Sequence, residues 1–514
     1  MRRSLTKAYD RVKDMDWDPT FITAAEKSVE PTRFFLPKKA VDPFKTSLRE
    51  YFTMEREKEH RHYALLEAAS RIQSPTPEPR WMEGMKFGLS NLSAIEYSAA
   101  RQFGRSTRVV APVELRQDYM AQVLDEMRHT QLELNALRHH MRSWHDPAGY
   151  DVAMIAAQNG VGSGIFRSFV EDFMTCDAVE TLLGLNLTVE TALSNIFFVG
   201  LSTAAVAAGD QVMASTMLTI QSDEARHMAN GYATLMTLLD DDRNIPMVQD
   251  ALDKWTWRGH VGFEIGLGLF VDYFVKNKNE SYKEMATRWV LEDYYGGFYK
   301  QLEKYGIKEP RWLPLIIENT NWSSHAAAVY LFGAWPVFFH RFDPIDEREM
   351  EWFERKYPGW YEHFGAFWKA YGQMTDPDAK LLITKELGGL PAFCQVCQLP
   401  WIFPRPDASI GCTLEKDGKT YTFCSPACQW IFEREPAHYS GFKGFYELYD
   451  GWDLADVVLD MGYVRNDGKT LIAQPVLNPK RMWTIDDVRN CRYEVVAPLK
   501  RGAAPAAQNG HKHE

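Results

Sequence analysis

From about Trp81 to Gly306, apolar residues recur three or four positions apart, and the glycines and prolines withdraw to the ends of long segments. That is the period of an α-helix. Leu89 to Phe103, Leu185 to Val199 and Asp210 to Asn230 are uninterrupted; Val113 to Asp146 lacks both Gly and Pro and is long enough for one extended helix or two joined by a short turn. Two-residue alternation is scarce, so residues 81–309 are predicted to form a helical bundle. Residues 1–80 are charged and punctuated by proline, an arm enclosing one helix from about Thr46 to Ile72. Residues 310–389 continue as a helical extension rich in Trp and Tyr, expected to pack as core or against a partner. Residues 390–440 change texture to short strand-like pieces around cysteines, with a hairpin turn at Asp417-Gly418. Residues 441–514 are a mixed C-terminal extension ending in a small, polar, flexible tail. The fold expected is mainly α.

Composition narrows the function. With 514 residues, 45% of them apolar, the chain can bury a large core, and its net charge of −11 is the wrong sign for gripping nucleic-acid phosphates. Apolar stretches such as Ala326 to Phe339 are broken by Pro336 or polar residues and fall short of the roughly 20 needed to cross a bilayer, so no span is expected. The N-terminus MRRSLTKAYDRVKDMDWD has no apolar run of the secretory kind, which points to the cytoplasm. Seven cysteines are too few for a disulfide scaffold, and five of them cluster between 394 and 428, a distribution that favours metal.

Two pentapeptides share the pattern D-E-x-R-H: Asp125 to His129 and Asp223 to His227. On a helix, residues three apart share a face, so Glu126 with His129, and Glu224 with His227, each present an oxygen and a nitrogen to one point. Carboxylates mixed with imidazoles suit iron or manganese. A Glu-x-x-His on each of two helices, with a lone Glu on each of two others, is the ligand set of ferritin-like carboxylate bundles. Glu96 and Glu190 are the lone glutamates expected, one before each motif in apolar surroundings, with Glu180 competing for the second place. Three more E-x-x-H words, Glu57/His60, Glu59/His62 and Glu435/His438, lack the Asp and Arg and are read as solvated or accidental. Asp125 and Asp223 are the natural acceptors for the other ring nitrogen of each histidine. Side chains one turn from a ligand should be apolar, as Leu92, Ile95 and Ala99 are around Glu96.

The chain order Glu, Glu-x-x-His, Glu, Glu-x-x-His, with the four glutamates 30, 64 and 34 residues apart, resembles the large (α) hydroxylase subunit of bacterial multicomponent soluble di-iron monooxygenases. That group contains phenol hydroxylase and the toluene, propane and soluble methane monooxygenases. The resemblance implies one iron on Glu96, Glu126 and His129 and another on Glu190, Glu224 and His227, bridged by Glu126 and Glu224. It implies that Asp125 and Asp223 each reach the opposite motif's histidine, that Arg128 and Arg226 complete the charge balance, and that Phe169 and Phe173 wall the cavity. Two departures stand out. Ser194 replaces a threonine implicated in handling oxygen or protons, followed by the matching Asn195, and Glu133 stands where relatives carry Gln or Cys. If Glu133 faces the pocket, it relays protons or binds a polar substrate group.

Cys394-x2-Cys397 and Cys424-x3-Cys428, 26 residues apart, have the spacing of a structural tetrahedral zinc site, leaving Cys176, Cys412 and Cys491 as plain thiols. The words CQVCQLP, DKWTWRGH and LEKYGIKEP resemble phenol hydroxylase; KYPGWY, DLADVVLDMGYVRNDGKTL and MWTIDDVR resemble propane monooxygenase. The implied reaction is NADH-driven hydroxylation of a small hydrophobic molecule by O2, with the substrate open among phenol, arene, short alkane and ketone. The implied partners are β and γ subunits in a dimer of protomers, a coupling protein, and a reductase carrying FAD and a 2Fe-2S cluster. Other readings are a ferritin-like iron oxidase or radical-storing protein, and a noncatalytic scaffold subunit.

Overall fold

The computed structural model describes residues 32–43, 47–73, 78–144, 150, 159–160, 163–329, 343–373, 392–401, 410–472, 482–490 and 492–496. Residues 1–31 of the arm, the segment 374–391, Cys491 and the polar tail lie outside the described residues. Helix α1 (Leu48–Ile72) opens on a capping box in which Ser47 and Glu50 satisfy each other's backbone N–H groups. Helix α2 (Pro79–Ser106) carries Pro in its first turn, where no donor is wasted, and α3 (Val113–Ser143) runs unbroken as one long helix. After α4 (Gly164–Thr175), Asp177 caps α5 (Ala178–Ala208) by accepting from the N–H groups of Val179 and Glu180. Gly209, at φ 86°, ends α5, and Asp210 caps α6 (Gln211–Leu239). Helices α7 (residues 245–272) and α8 (residues 282–305) complete the bundle.

Helices α2, α3, α5 and α6 pack side by side as the central four, α2 against α3, α3 against α6 and α6 against α5, while α7 lies behind α5. A Cβ on Gly184 of α5 would stand 2.4 Å from the Trp255 ring of α7, so only glycine allows this approach. Helix α5 corrects the sequence scan for apolar spans. It is long and apolar enough to cross a membrane, with a window of mean hydropathy 1.6, but 61% of that window is buried inside the bundle. A helix enclosed by others is apolar all round for the same reason a membrane helix is.

The extension comprises α9 (Leu313–Asn319), α10 (Ser323–Ala328), α11 (Glu347–Lys356) and α12 (residues 361–373). Its described aromatics are core or pack against it: Phe353 stacks on Trp360 at 4.7 Å and on Tyr273, just past α7, at 4.8 Å. Strands β1 (Cys412–Lys416) and β2 (Lys419–Phe423) form an antiparallel hairpin. Asp417 and Gly418 turn it with φ of 53° and 74°, the positive pair a two-residue turn requires. Helices α13 (Pro426–Arg434) and α14 (Pro436–Tyr439) follow.

Candidate metal centre and its cavity

Each of the four central helices delivers ligands to one point. Glu96 comes from α2, Glu126 and His129 from α3, Glu190 from α5, and Glu224 and His227 from α6. His129 Nδ1 lies 3.4 Å from Glu126 Oε2, 3.5 Å from Glu96 and 3.7 Å from Glu224 Oε1. His227 Nδ1 lies 3.2 Å from Glu224 Oε2, 3.4 Å from Glu126 Oε1 and 3.6 Å from Glu190. Glu126 and Glu224 thus each turn one oxygen towards each histidine, the posture of a carboxylate spanning two ions. The two imidazoles stand 5.8 Å apart.

The charge around this point selects for cations. No Lys or Arg among the described residues pairs with Glu96, Glu126, Glu190 or Glu224, and buried carboxylates without a counter-charge are costly. Two divalent ions would balance the four negative charges. Burial, joined by neighbouring carboxylates, pushes Glu126 well above the usual carboxylate range and Glu190 up to about 7. Burial opposes protonation of His129 and His227, but the surrounding carboxylates outweigh it and raise both imidazoles. Protons held in this way are those that metal binding displaces.

The outer hydrogen bonds fix which nitrogen faces inward. His129 Nε2 meets Asp223 at 3.1 Å and His227 Nε2 meets Asp125 at 3.2 Å, so each aspartate serves the opposite motif and leaves Nδ1 to a metal. Arg128 pairs with Asp223, and Arg226 with Asp125 at 2.8 Å. The sequence reading missed the contribution of α1. Tyr51 donates to Asp125 at 2.8 Å, Lys58 pairs with Asp223, and Glu55 meets Arg226 at 3.0 Å and Arg128 at 3.2 Å. Glu55, Asp125 and Asp223 also form a carboxylate cluster, but these three cations fill it. It missed three amides as well. Gln122 and Asn186 donate to Glu190 at 3.1 and 2.8 Å, and Asn230 donates to Gln122 at 3.2 Å. Their signal was present: Gln122 and Asn186 each sit one helical turn before a glutamate of the centre.

Glu180 is not part of the centre. Its carboxylate binds Lys254 at 2.9 Å, Arg33 at 2.8 Å and Trp255 Nε1 at 2.9 Å. Lys254 also reaches Glu435 at 2.8 Å, while His438 and Arg258 hold Asp172 at 3.1 and 2.8 Å. Glu435 and His438 therefore belong to an ion cluster that docks the cysteine module on the bundle, rather than being accidental. Glu59 likewise braces Arg128 at 3.1 Å, and His62 is buried against Thr219, whereas Glu57 and His60 are exposed.

A cavity of about 60 Å³ opens beside the ligands. It is lined by Leu92, Ile95 and Ala99, by Leu185, Val189 and Leu193, and by Phe197, Phe198 and Phe263, with Ser194 the one hydroxyl among its described lining. Ser194 lies one turn after Glu190 and donates to its carbonyl oxygen. Both flanks of this turn, Leu183–Glu190 and Asn195–Gly200, are π-helical, a widening common at functional positions. Three expectations need correction or refinement. Asn195 is exposed, because the next 100° of helix rotation carries it off the cavity face. Phe169 and Phe173 are buried but not on the wall: Phe169 packs edge-on against Phe263 at 5.0 Å, and Phe263 takes that place. Glu133 faces the interior and is fully buried.

The four cysteines form a second group. The sulfur atoms of Cys394, Cys397, Cys424 and Cys428 lie within 4.8 Å of one another, all buried, with Cys397 to Cys424 at 3.4 Å. Backbone N–H groups of Val396 and Cys397 point at Cys394 Sγ at 3.4 Å, and Trp257 Nε1 donates to Cys428 Sγ at 3.2 Å. Burial opposes ionisation of Cys394, but hydrogen bonds from its neighbours outweigh it and hold the thiol well below its ordinary range. Cys176 is an inert thiol, pushed up by burial.

Four helices converging six carboxylate and imidazole side chains beside a largely apolar cavity have the fold and donor set of a ferritin-like carboxylate protein. The chain belongs to the methane/phenol/alkene hydroxylase family. That family's model matches residues 17–242, and a YHS domain model matches residues 412–442, the hairpin with α13 and α14. The chain is 36% identical to the propane 2-monooxygenase hydroxylase large subunit of Rhodococcus jostii (strain RHA1), covering 99% of this chain and 97% of that protein. It is 32% identical to the methane monooxygenase component A alpha chain of Methylococcus capsulatus (Bath), covering 91% and 90%. The fold superposes on phenol hydroxylase from Pseudomonas sp. OX1 with a TM-score of 0.76 at 26% identity, covering 95% of this chain and 99% of that one.

Proposed function

We propose that this chain is the oxygenase large subunit of a multicomponent, NADH-dependent monooxygenase that hydroxylates a small hydrophobic substrate. One observation carries the reading: four carboxylates, without a cationic side chain among them, line one side of a largely apolar cavity, with two buried histidines in contact with them. Glu96, Glu126 and His129 would hold one iron, and Glu190, Glu224 and His227 the other, with Glu126 and Glu224 shared. When bound, the iron pair supplies two electrons and the open coordination positions at which O2 is reduced.

The protein's own part is positional. Asp125 and Asp223 lock the ring orientation of the histidines, and Gln122 and Asn186 hold Glu190. The apolar wall excludes water and aligns a hydrocarbon face against the ligands. Ser194, whose hydroxyl donates to the Glu190 backbone carbonyl, offers the described wall's one hydroxyl as a hydrogen-bonding group to a molecule bound in the cavity. The four thiolates of the cysteine module suit one structural zinc, closed to chemistry, that ties the hairpin and α13 together.

The relatives are named for propane and methane, and the structural neighbour for phenol. A phenol or arene, a short alkane and a small ketone all fit the chemistry of the wall. NADH, FAD and a 2Fe-2S cluster belong to a reductase partner, and β and γ subunits and a coupling protein complete a cytoplasmic assembly built on a dimer of protomers. Metal analysis of the purified subunit should return about two iron and one zinc per chain. Glu224→Ala should empty the iron site and keep zinc, and Cys424→Ser should do the reverse. Reconstituted with its partners, the subunit should consume NADH only with substrate present; full activity without iron would overturn the reading.

A further inference from the structure

Glu133 is fully buried, and neither of its carboxyl oxygens has a hydrogen-bond partner among the described residues. Native proteins seldom leave such a group unsatisfied, and where they do the group awaits a ligand, water or chemistry. Its place in the bundle suggests which. On α3 it continues the face of Glu126 and His129, seven and four residues on. Helices α2 and α3 are joined by the short segment 107–112 and run antiparallel, and the contact between Glu96 and His129 fixes their register. One turn back along α2 from Glu96 is Leu92, and one turn forward along α3 from His129 is Glu133, so the two lie at the same level. Leu92 is on the cavity wall, whereas Glu133 is level with it but not among the residues that line the cavity. Apart from the ligands and Ser194, that wall offers a substrate no polar contact among its described residues. Burial, the largest cause, pushes the Glu133 carboxyl above the usual range and favours its neutral form. A neutral carboxylic acid has one O–H to donate and one C=O to accept.

We propose that Glu133 is a specificity-determining residue at the Leu92 end of the cavity, where its carboxyl group hydrogen-bonds the single oxygen atom of a small, otherwise apolar substrate. The substrate class is then an oxygenated one, a carbonyl or hydroxyl compound, in preference to the hydrocarbon of the same shape. The inference rests on the hydroxylase reading, but it predicts a binding preference measurable without turnover.

The test uses two shape-matched pairs, acetone with isobutene and phenol with toluene, on the iron-loaded hydroxylase complex. Dissociation constants come from perturbation of the metal-centre spectrum or from calorimetry, and kcat/KM from the reconstituted system. The wild type should favour the oxygenated member of at least one pair by about tenfold, the worth of one net hydrogen bond. The pair that shows the preference distinguishes carbonyl from hydroxyl recognition. Glu133→Gln, which keeps a donor and an acceptor, should retain the preference; Glu133→Leu should reverse it. Equal affinity of the wild type for both members of both pairs overturns the proposal, as does a Glu133→Leu protein that loses both members in proportion. A preference in binding with no hydroxylated product would instead count against the hydroxylase reading and leave the Glu133 assignment standing.

Discussion

Replacing Asp125 by alanine removes three interactions at once: the acceptor for His227 Nε2 at 3.2 Å, the partner of Arg226 at 2.8 Å and the acceptor for the Tyr51 hydroxyl at 2.8 Å. Around it, Glu55, Asp125 and Asp223 face Lys58, Arg128 and Arg226, three negative charges against three positive, with side-chain exposures of 11% or less. The variant leaves one positive charge in excess. Arg226 keeps Glu55 at 3.0 Å and Asp223 at 3.1 Å, so the loss falls short of the ~3–5 kcal/mol of a broken buried pair and nearer the ~1.5–3 kcal/mol of a charged hydrogen bond. The ring of His227, no longer oriented, should bind metal about 10–100-fold more weakly, or ~1.4–2.7 kcal/mol. Iron retention against a graded chelator, read with urea midpoints of the iron-loaded and stripped proteins, separates the two effects. Asp125→Asn keeps an acceptor oxygen but not the charge, and should fall between wild type and Asp125→Ala in iron affinity. An Asp125→Ala protein that holds iron like the wild type would refute the idea that Asp125 orients His227.

Three further outcomes are expected. Lys254→Met should destabilise the fold by about 1.5–3 kcal/mol in chemical denaturation, because it removes the cation shared by Glu180 and Glu435 while Glu180 keeps Arg33 and Trp255, yet leave the iron content unchanged; lost iron would return Glu180 to the centre. Gly231→Ala places a Cβ 2.5 Å from Asn186 Cβ, which should cost about 1–3 kcal/mol and loosen iron held by Glu190, since Asn186 is that carboxylate's donor; an iron content and melting curve like the wild type's would refute it. Asp118, with one buried oxygen unpaired, is pushed up to about 8 by burial and by Glu114. Its folded value exceeds the unfolded 3.8, so its contribution to stability is whole below pH 4 and drains away as pH rises towards 8. Asp118→Asn should therefore flatten the melting temperature across pH 4 to 8, and a wild-type slope retained in the variant would refute the assignment.

The long α-helical segments and the two D-E-x-R-H words are local facts, and helical arithmetic alone puts Glu126 with His129, and Glu224 with His227, on one face. The paired cysteines and the Asp417-Gly418 turn are equally local, because a chelating turn and a positive φ are set within a few residues. What the order of residues left open is how each helix rotates about its axis and which neighbour it meets. Only packing turned Glu190 towards the other carboxylates of the centre and gave Glu180 to Lys254, although both are glutamates of one apolar helix. Only packing carried Asn195 outward, set Phe263 in front of Phe169 and buried Glu133 without a partner. It also brought α1 across more than sixty positions of sequence to brace the aspartates. Periodicity states that a helix has an inner face; the side chains of the other helices decide what that face touches.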